Sequence, residues 1–231
     1  MLQADVRGSD PTAEFLRRLE RLAAELAERT IGRARDRDGL SALAEGMAAL
    51  TDLATVRLAA MLPPDLPLAC GRGCAHCCRY GGVMVDPVSA MALAQSLVEQ
   101  CGPAEMASIL LHLANVSERS CALIDAYDGC IAYVTRPLTC RAINAYDDEA
   151  CQKNGPPGAS GNGGKGGYSV PPAIATAVVT GVAGTLATLG LICEPVELNT
   201  ALRVLLSEPD ATARWLSGED VFGGLPPAGC L

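Results

Sequence analysis

Aromatic side chains are scarce in this chain, with two Phe, one Trp and five Tyr among 231 residues. Bases would find few stacking platforms. Acidic residues outnumber basic ones, 26 to 18, and the formal charge of -8 leaves no basic surface for a phosphate backbone. No nucleic-acid partner is expected. The first ten residues, MLQADVRGSD, mix charged and polar groups and lack an apolar core for export. The 11 cysteines fall short of the density of a small disulfide scaffold, and 49% hydrophobic residues can fill a core without covalent staples. These absences point to a cytoplasmic protein with reduced thiols. Clustered cysteines in that setting serve as metal ligands or redox groups more often than as bridges.

The apolar pattern is helical at both ends of the chain. Asp10 followed by Pro11 reads as an N-cap and first helical position, and Phe15, Leu16, Leu19, Leu22, Ala23 and Leu26 follow at helical spacing. The interleaved charges between Glu14 and Arg29 fit a solvated face. A second stripe, Leu40, Leu43, Met47, Leu50, Ala54, Leu58 and Met61, predicts a helix folding back on the first as a hairpin over residues 1–62. Pro63, Pro64 and Pro67 end that pattern and open a cysteine-bearing unit over 63–155. Within it, 82–85 reads as a short strand, Asp86 with Pro87 as the start of a helix to about Val98, and Gly102 with Pro103 as the start of another. CALID and CIAYV, flanking AYDG, read as a small β-hairpin.

Residues 156–169 are Gly-rich and compositionally a flexible loop. Lys165 lacks the Walker spacing and a preceding apolar strand, so a nucleotide loop is not expected. Residues 170–231 supply packing helices, with helical patterns over 196–206 and 211–216. The stretch 173–193 carries no charge and is long enough to span a bilayer. Its Ala, Thr and Gly content and the single stripe of Ile174, Val178, Val182, Leu186 and Leu189 favour a buried helix, with Gly181 and Gly184 admitting a close neighbour. No membrane partner is expected. The expected fold is mainly α, a loop-rich cysteine-cluster unit with a short β-hairpin, wrapped by N-terminal and C-terminal helices.

The densest chemistry is CGRGCAHCC, which sets Cys70, Cys74, Cys77 and Cys78 within nine residues. Gly71 and Gly73 let such a loop curl its sulfurs around a centre, and a bound cation would favour the thiolates. Side chains of adjacent residues tend to diverge, so Cys77 and Cys78 point to two centres or a polynuclear one. Cys121, Cys130, Cys140 and Cys151 raise the count to eight, enough for two four-thiolate sites or one larger cluster. His76, inside the loop, reads as a hydrogen-bonding partner of a ligand rather than a ligand. His112, among Leu110, Leu111 and Leu113, reads as a packing residue. Arg136 and Arg141 bracket Cys140 and can offset thiolate charge or hold an anionic substrate. Tyr127 and Tyr133 are candidates to cover the site. Cys101, Cys193 and Cys230 lie outside the pattern and read as small buried or incidental thiols.

CGRGCAHCC, followed by CALIDAYDGCIAYVTRPLTCR and Cys151, resembles the zinc- or iron-chelating cysteine-cluster family with its CxxCxxCC signature. The first block is one residue longer than that signature. The ordered set Cys130, Tyr133, Arg136, Pro137, Cys140 and Arg141 after the double cysteine carries the resemblance most specifically. The resemblance implies metal binding through the eight cysteines. Some relatives are flagellin lysine methylases, an activity for which this chain offers no separate methyl-donor domain. The Cys70, Cys74, Cys77 spacing is also similar to the cluster loop of radical S-adenosylmethionine enzymes, but His76 stands where those enzymes commonly carry an aromatic residue, and the chain lacks their strand–helix alternation. All-thiolate ligation favours an iron-sulfur cluster or iron, with zinc as the alternative. The expected partners are metal ions, with a small molecule or a protein as substrate if the centre acts on one.

Overall fold

Short acidic side chains start several of the helices. The Asp10 carboxylate accepts from the Thr12 amide at 2.9 Å and opens α1 (Pro11–Arg29). Asp36 accepts from Gly39 at 2.8 Å ahead of α2 (Arg37–Met61), and Asp86 from Ser89 at 2.8 Å ahead of α3 (Pro87–Gln100). Each satisfies an amide that the first turn leaves without a helical partner. The order continues with α4 (Pro103–Asn115), α5 (Leu138–Ala142), α6 (Asp148–Asn154), α7 (Val170–Thr188), α8 (Leu198–Ser207) and α9 (Ala211–Leu216). The computed structural model describes residues 10–80, 82–115, 120–155 and 167–223. Cys230 and most of the Gly-rich loop, residues 156–166, lie outside the described residues.

Helix α7 organises the core. Its stripe Ile174, Val178, Val182 and Leu186 is buried against Leu19, Ala23 and Ala27 of α1, and α2 and α5 pack on it as well. The two N-terminal helices touch each other as expected, but α1 makes its larger contact with α7. Gly181 permits that approach, because a Cβ there would stand 2.1 Å from the Glu20 carbonyl oxygen. Gly184 faces open space, so the close approach read from the sequence is confined to Gly181. Among the described residues α7 alone is long and apolar enough to cross a membrane, and half of its apolar window is buried inside the fold. Thr185 on α7 donates to the Ala24 carbonyl at 3.3 Å, tying the pair together.

The rest of the C-terminal segment covers the far side. Helix α8 packs on α3 and α4, and Arg203 donates to the Leu113 carbonyl at 2.8 Å. Trp215 of α9 is fully buried, its indole N–H satisfied by the Ile192 carbonyl at 2.9 Å. The described β-structure is a two-stranded antiparallel sheet, β1 (Met84–Val85) with β2 (Val196–Glu197), Met84 opposite Glu197 and Val85 opposite Val196. Strand β2 falls where the sequence pattern predicts helix. Glu197 explains the later start, because its carboxylate caps α8 by accepting from the Asn199 and Thr200 amides at 3.0 and 2.8 Å.

The hairpin expected around AYDG contracts to one antiparallel bridge, Ile124 with Cys130. One carboxylate oxygen of Asp125 accepts from the Tyr127 and Gly129 amides at 2.8 and 2.7 Å, and Asp128 takes a positive φ of 61°. Local bonds of this kind satisfy the backbone within the turn and leave little for paired strands.

Candidate metal centre

The first cysteine loop is pinned immediately before it begins, where the Ala69 amide donates to the Ala145 carbonyl at 2.9 Å. Gly73 then turns the chain at φ 91°, and the Cys74 amide closes on the Gly71 carbonyl at 3.1 Å. Only Gly73 needs its freedom, since Gly71 lies in open space at an unexceptional φ. Residues Cys77–Arg79 wind into a single 3₁₀ turn, with the Arg79 amide on the His76 carbonyl at 3.2 Å and the Tyr80 amide on the Cys77 carbonyl at 3.3 Å. This turn overrides the divergence expected of neighbouring side chains and brings the Cys77 and Cys78 sulfurs to 3.8 Å. A tetrahedral centre with metal–sulfur bonds of about 2.3 Å places its sulfurs roughly 3.8 Å apart. The adjacent pair is therefore compatible with one shared metal.

Three contacts hold the second cysteine block in place, two of them against the first. The Cys121 amide donates to the Cys78 carbonyl at 2.7 Å, and Arg79 forms an ion pair with Asp128 of the AYDG turn. The third comes from Asn199, buried on α8, which accepts from the Ala122 amide at 3.0 Å and donates to the Ser120 carbonyl at 2.7 Å. One amide side chain thus holds the backbone on both sides of Cys121. Asn199 is the polar member of the buried face of α8, beside Leu198, Ala201 and Leu202, and a polar residue at that position was the only sequence signal for its role. Replacing it with Leu, similar in size, leaves two backbone groups without partners. A loss of about 3 kcal/mol in unfolding free energy is expected, read from urea midpoints.

Six of the eight predicted cysteines, Cys74, Cys77, Cys78, Cys121, Cys130 and Cys140, wall a single cavity of about 50 Å³. Its other walls include Tyr133, Arg136 and the apolar side chains of Val83, Leu93, Leu123 and Leu198. Burial pushes the Cys121 thiol up to about 11 and the Cys140 thiol up to about 12, with repulsion from neighbouring cysteines adding to both. Burial likewise raises Cys130, while the Arg136 guanidinium draws it and Cys140 part of the way back. The hydrogen bond with Cys78 raises Cys77, and burial adds to the effect.

Cys70 and Cys151 form a second wing. Burial is the main cause that raises Cys70 and pushes Cys151, on α6, up to about 11, and both also feel Cys74 and Cys77. Cys74 and Cys77 are common to the two wings, since both stand in the cavity wall and both couple to Cys70 and Cys151, and Cys77 couples to Cys121, Cys130 and Cys140 as well. No three His, Cys, Asp or Glu side chains among the described residues stand together as a ready-made cation site. The donor chemistry nonetheless suits a thiophilic cation: the small cavity has an all-sulfur donor set, no carboxylate in its walls and one sulfur pair at the spacing a shared metal requires.

The remaining candidates separate by position. Arg136 belongs to the cavity wall, with its guanidinium 3.7 Å from the centre of the Tyr133 ring and its Nε donating to the Tyr133 carbonyl at 2.9 Å. Arg141 is turned away from the sulfurs. Its Nε donates to the Arg136 carbonyl at 3.0 Å, another of its N–H groups to Val134, and a terminal nitrogen lies 3.6 Å from the Asp52 carboxylate of α2. His76 is half-buried on the loop but is not part of the cavity wall. Tyr133 covers the site, whereas Tyr127 is 91% exposed and does not. His112 is exposed on α4 rather than packed, because the buried face of that helix is Ile109 and Leu113. Cys101 and Cys193 pack against the core away from the cluster. No protein-family model, curated protein or solved structure matches the chain.

Proposed function

We propose that this chain is a metal-binding cysteine-cluster protein whose eight thiols hold an iron-sulfur or iron centre, in line with the family its motifs resemble. The observation that carries the reading is the convergence of six cysteines, drawn from two blocks separated by a helical segment, on the walls of one small cavity. Cys74, Cys77, Cys78, Cys121, Cys130 and Cys140 would hold the group on that side, and Cys70 and Cys151 on the other. Such a centre supplies electron transfer or, where its coordination is incomplete, Lewis-acid activation.

The protein's own contribution is electrostatic and structural. Burial holds the protons on Cys121, Cys130, Cys140 and Cys151 in the metal-free chain, and a cation among them reverses that preference, so that loading releases protons. Arg136 offsets part of the remaining negative charge. A reducing, cytoplasmic location accords with thiols held in this way.

Anaerobic purification followed by metal and acid-labile sulfide analysis tests the proposal. Iron together with sulfide in a coloured protein is the expected result. A colourless protein carrying zinc alone would replace the iron-sulfur assignment with a four-thiolate zinc site, and a chain that takes up none of these metals would overturn the reading.

A further inference from the structure

A second and larger cavity, of about 400 Å³, opens between α2, α3 and the segment that runs from Val134 to Arg141. Arg136 and Pro137 stand in its wall and in the wall of the thiol cavity as well. The segment is therefore a partition one residue layer thick. Polar side chains from three elements meet in the larger space: Ser41 of α2 donates to Gln95 of α3 at 3.2 Å, and Ser96 of α3 lies 3.4 Å from Thr135. At 400 Å³ the space is in the range of small-molecule sites, with hydroxyl and amide groups set among alanine and leucine walls.

The charges in these walls are not equivalent. Arg141 is engaged by Asp52 and two carbonyls, and Glu99 accepts from Gln95 at 2.8 Å. Arg136 uses its Nε on Tyr133, is held flat against the Tyr133 ring, and has no carboxylate partner among the described residues. Its terminal N–H groups form a planar, pre-oriented fork, the geometry that matches a carboxylate in two parallel hydrogen bonds. A dianionic phosphate would be served less well, because a single available guanidinium faces it while Glu45 and Glu99 stand in the same wall.

We propose that this cavity binds a small organic carboxylate, gripped by Arg136 and presented at the partition that separates it from the thiol cluster. The binding site stands on its own geometry. The statement that its ligand sits beside a metal centre rests on the reading under Proposed function.

Saturation-transfer NMR and calorimetry on the full chain, with metal content measured on the same samples, provide the test. The probes are butyrate, its neutral analogue butyramide, and inorganic phosphate. Saturable butyrate binding is expected, with phosphate weaker and butyramide silent. Arg136→Gln should weaken butyrate at least tenfold, as the loss of a charge-assisted pair does. Ala92→Phe fills the cavity from α3, and should weaken butyrate equally while metal content stays unchanged. Absence of saturable butyrate binding, equal binding of butyramide, tighter binding of phosphate, or unaltered binding in both variants would overturn the assignment. A metal-free chain that still binds butyrate would sink the metal reading and keep the cavity assignment. A metal-loaded chain that ignores butyrate would do the reverse.

Discussion

Replacing Cys77 with alanine is expected to strip the chain of metal more completely than replacing any other of the eight cysteines. The reason lies in its position: its sulfur stands 3.8 Å from that of Cys78, in the cavity wall it shares with Cys74, Cys121, Cys130 and Cys140, and Cys70 and Cys151 lie close enough to couple to it. A ligand shared between the two wings, or standing where they meet, cannot be lost from one without disturbing the other. Cys70→Ala is the control, because Cys70 is coupled to Cys151 in the second wing and is not part of the thiol-cavity wall. It should remove at most the metal of its own wing. Metal per chain, measured after anaerobic reconstitution, separates the two variants. Full retention by Cys77→Ala would remove the shared position from the argument.

A second readout separates lost ligation from misfolding: the helical signal of the metal-free Cys77→Ala chain should match that of the parent. The 3₁₀ turn should persist, because its bonds run through backbone groups that alanine retains.

How far the sequence could be read depended on how local the decisive chemistry was. Asp10, Asp36 and Asp86 cap their helices through bonds that span two or three residues, so the starts of α1 and α3 were legible from Asp-Pro alone. The main contact of α1 was not. It is made with α7, whose Thr185 stands 161 residues beyond its partner Ala24, and Gly181 differs from Gly184 only in what stands opposite it. Strand β2 was missed because two residues of pairing precede a helix that continues the same apolar stripe.

Within the site, the eight cysteines and the two arginines were visible as residue types at suggestive spacings. The pairing of Cys77 with Cys78 was not, since a 3₁₀ turn sets it and no side-chain pattern announces one. Arg136 and Arg141 carry the same charge on either side of Cys140. Asp52, brought in from α2, and the carbonyls of Val134 and Arg136 engage Arg141 away from the sulfurs, while Arg136 stands in the walls of both cavities. The two cavities, and the thin partition between them, belong to packing alone.

Metal affinity should rise steeply with pH across the neutral range, in proportion to the number of thiols that must lose a proton. Cys121 and Cys151 are pushed up to about 11 and Cys140 up to about 12, so at pH 7 these groups are protonated before loading. Each proton released on binding contributes about tenfold in apparent affinity per pH unit, so a four-thiolate site should gain roughly ten-thousandfold between pH 6 and pH 7. Chelator competition, corrected for protonation of the chelator, reads this as the slope of log affinity against pH.

Stability should move in opposite directions in the two forms. In the metal-free chain the folded thiols hold their protons to higher pH than unfolded ones, which ionise near 9. The contribution is therefore complete below about 9 and is lost as pH climbs toward 11 or 12. In the loaded chain the ligands are already thiolates, and the unfolded chain takes up protons below 9, so the fold gains stability as pH rises toward that value. Denaturant midpoints measured at pH 6, 8 and 10 on both forms would show the two curves diverging. A flat affinity slope, or parallel stability curves, would mean that these buried thiols are not the ligands.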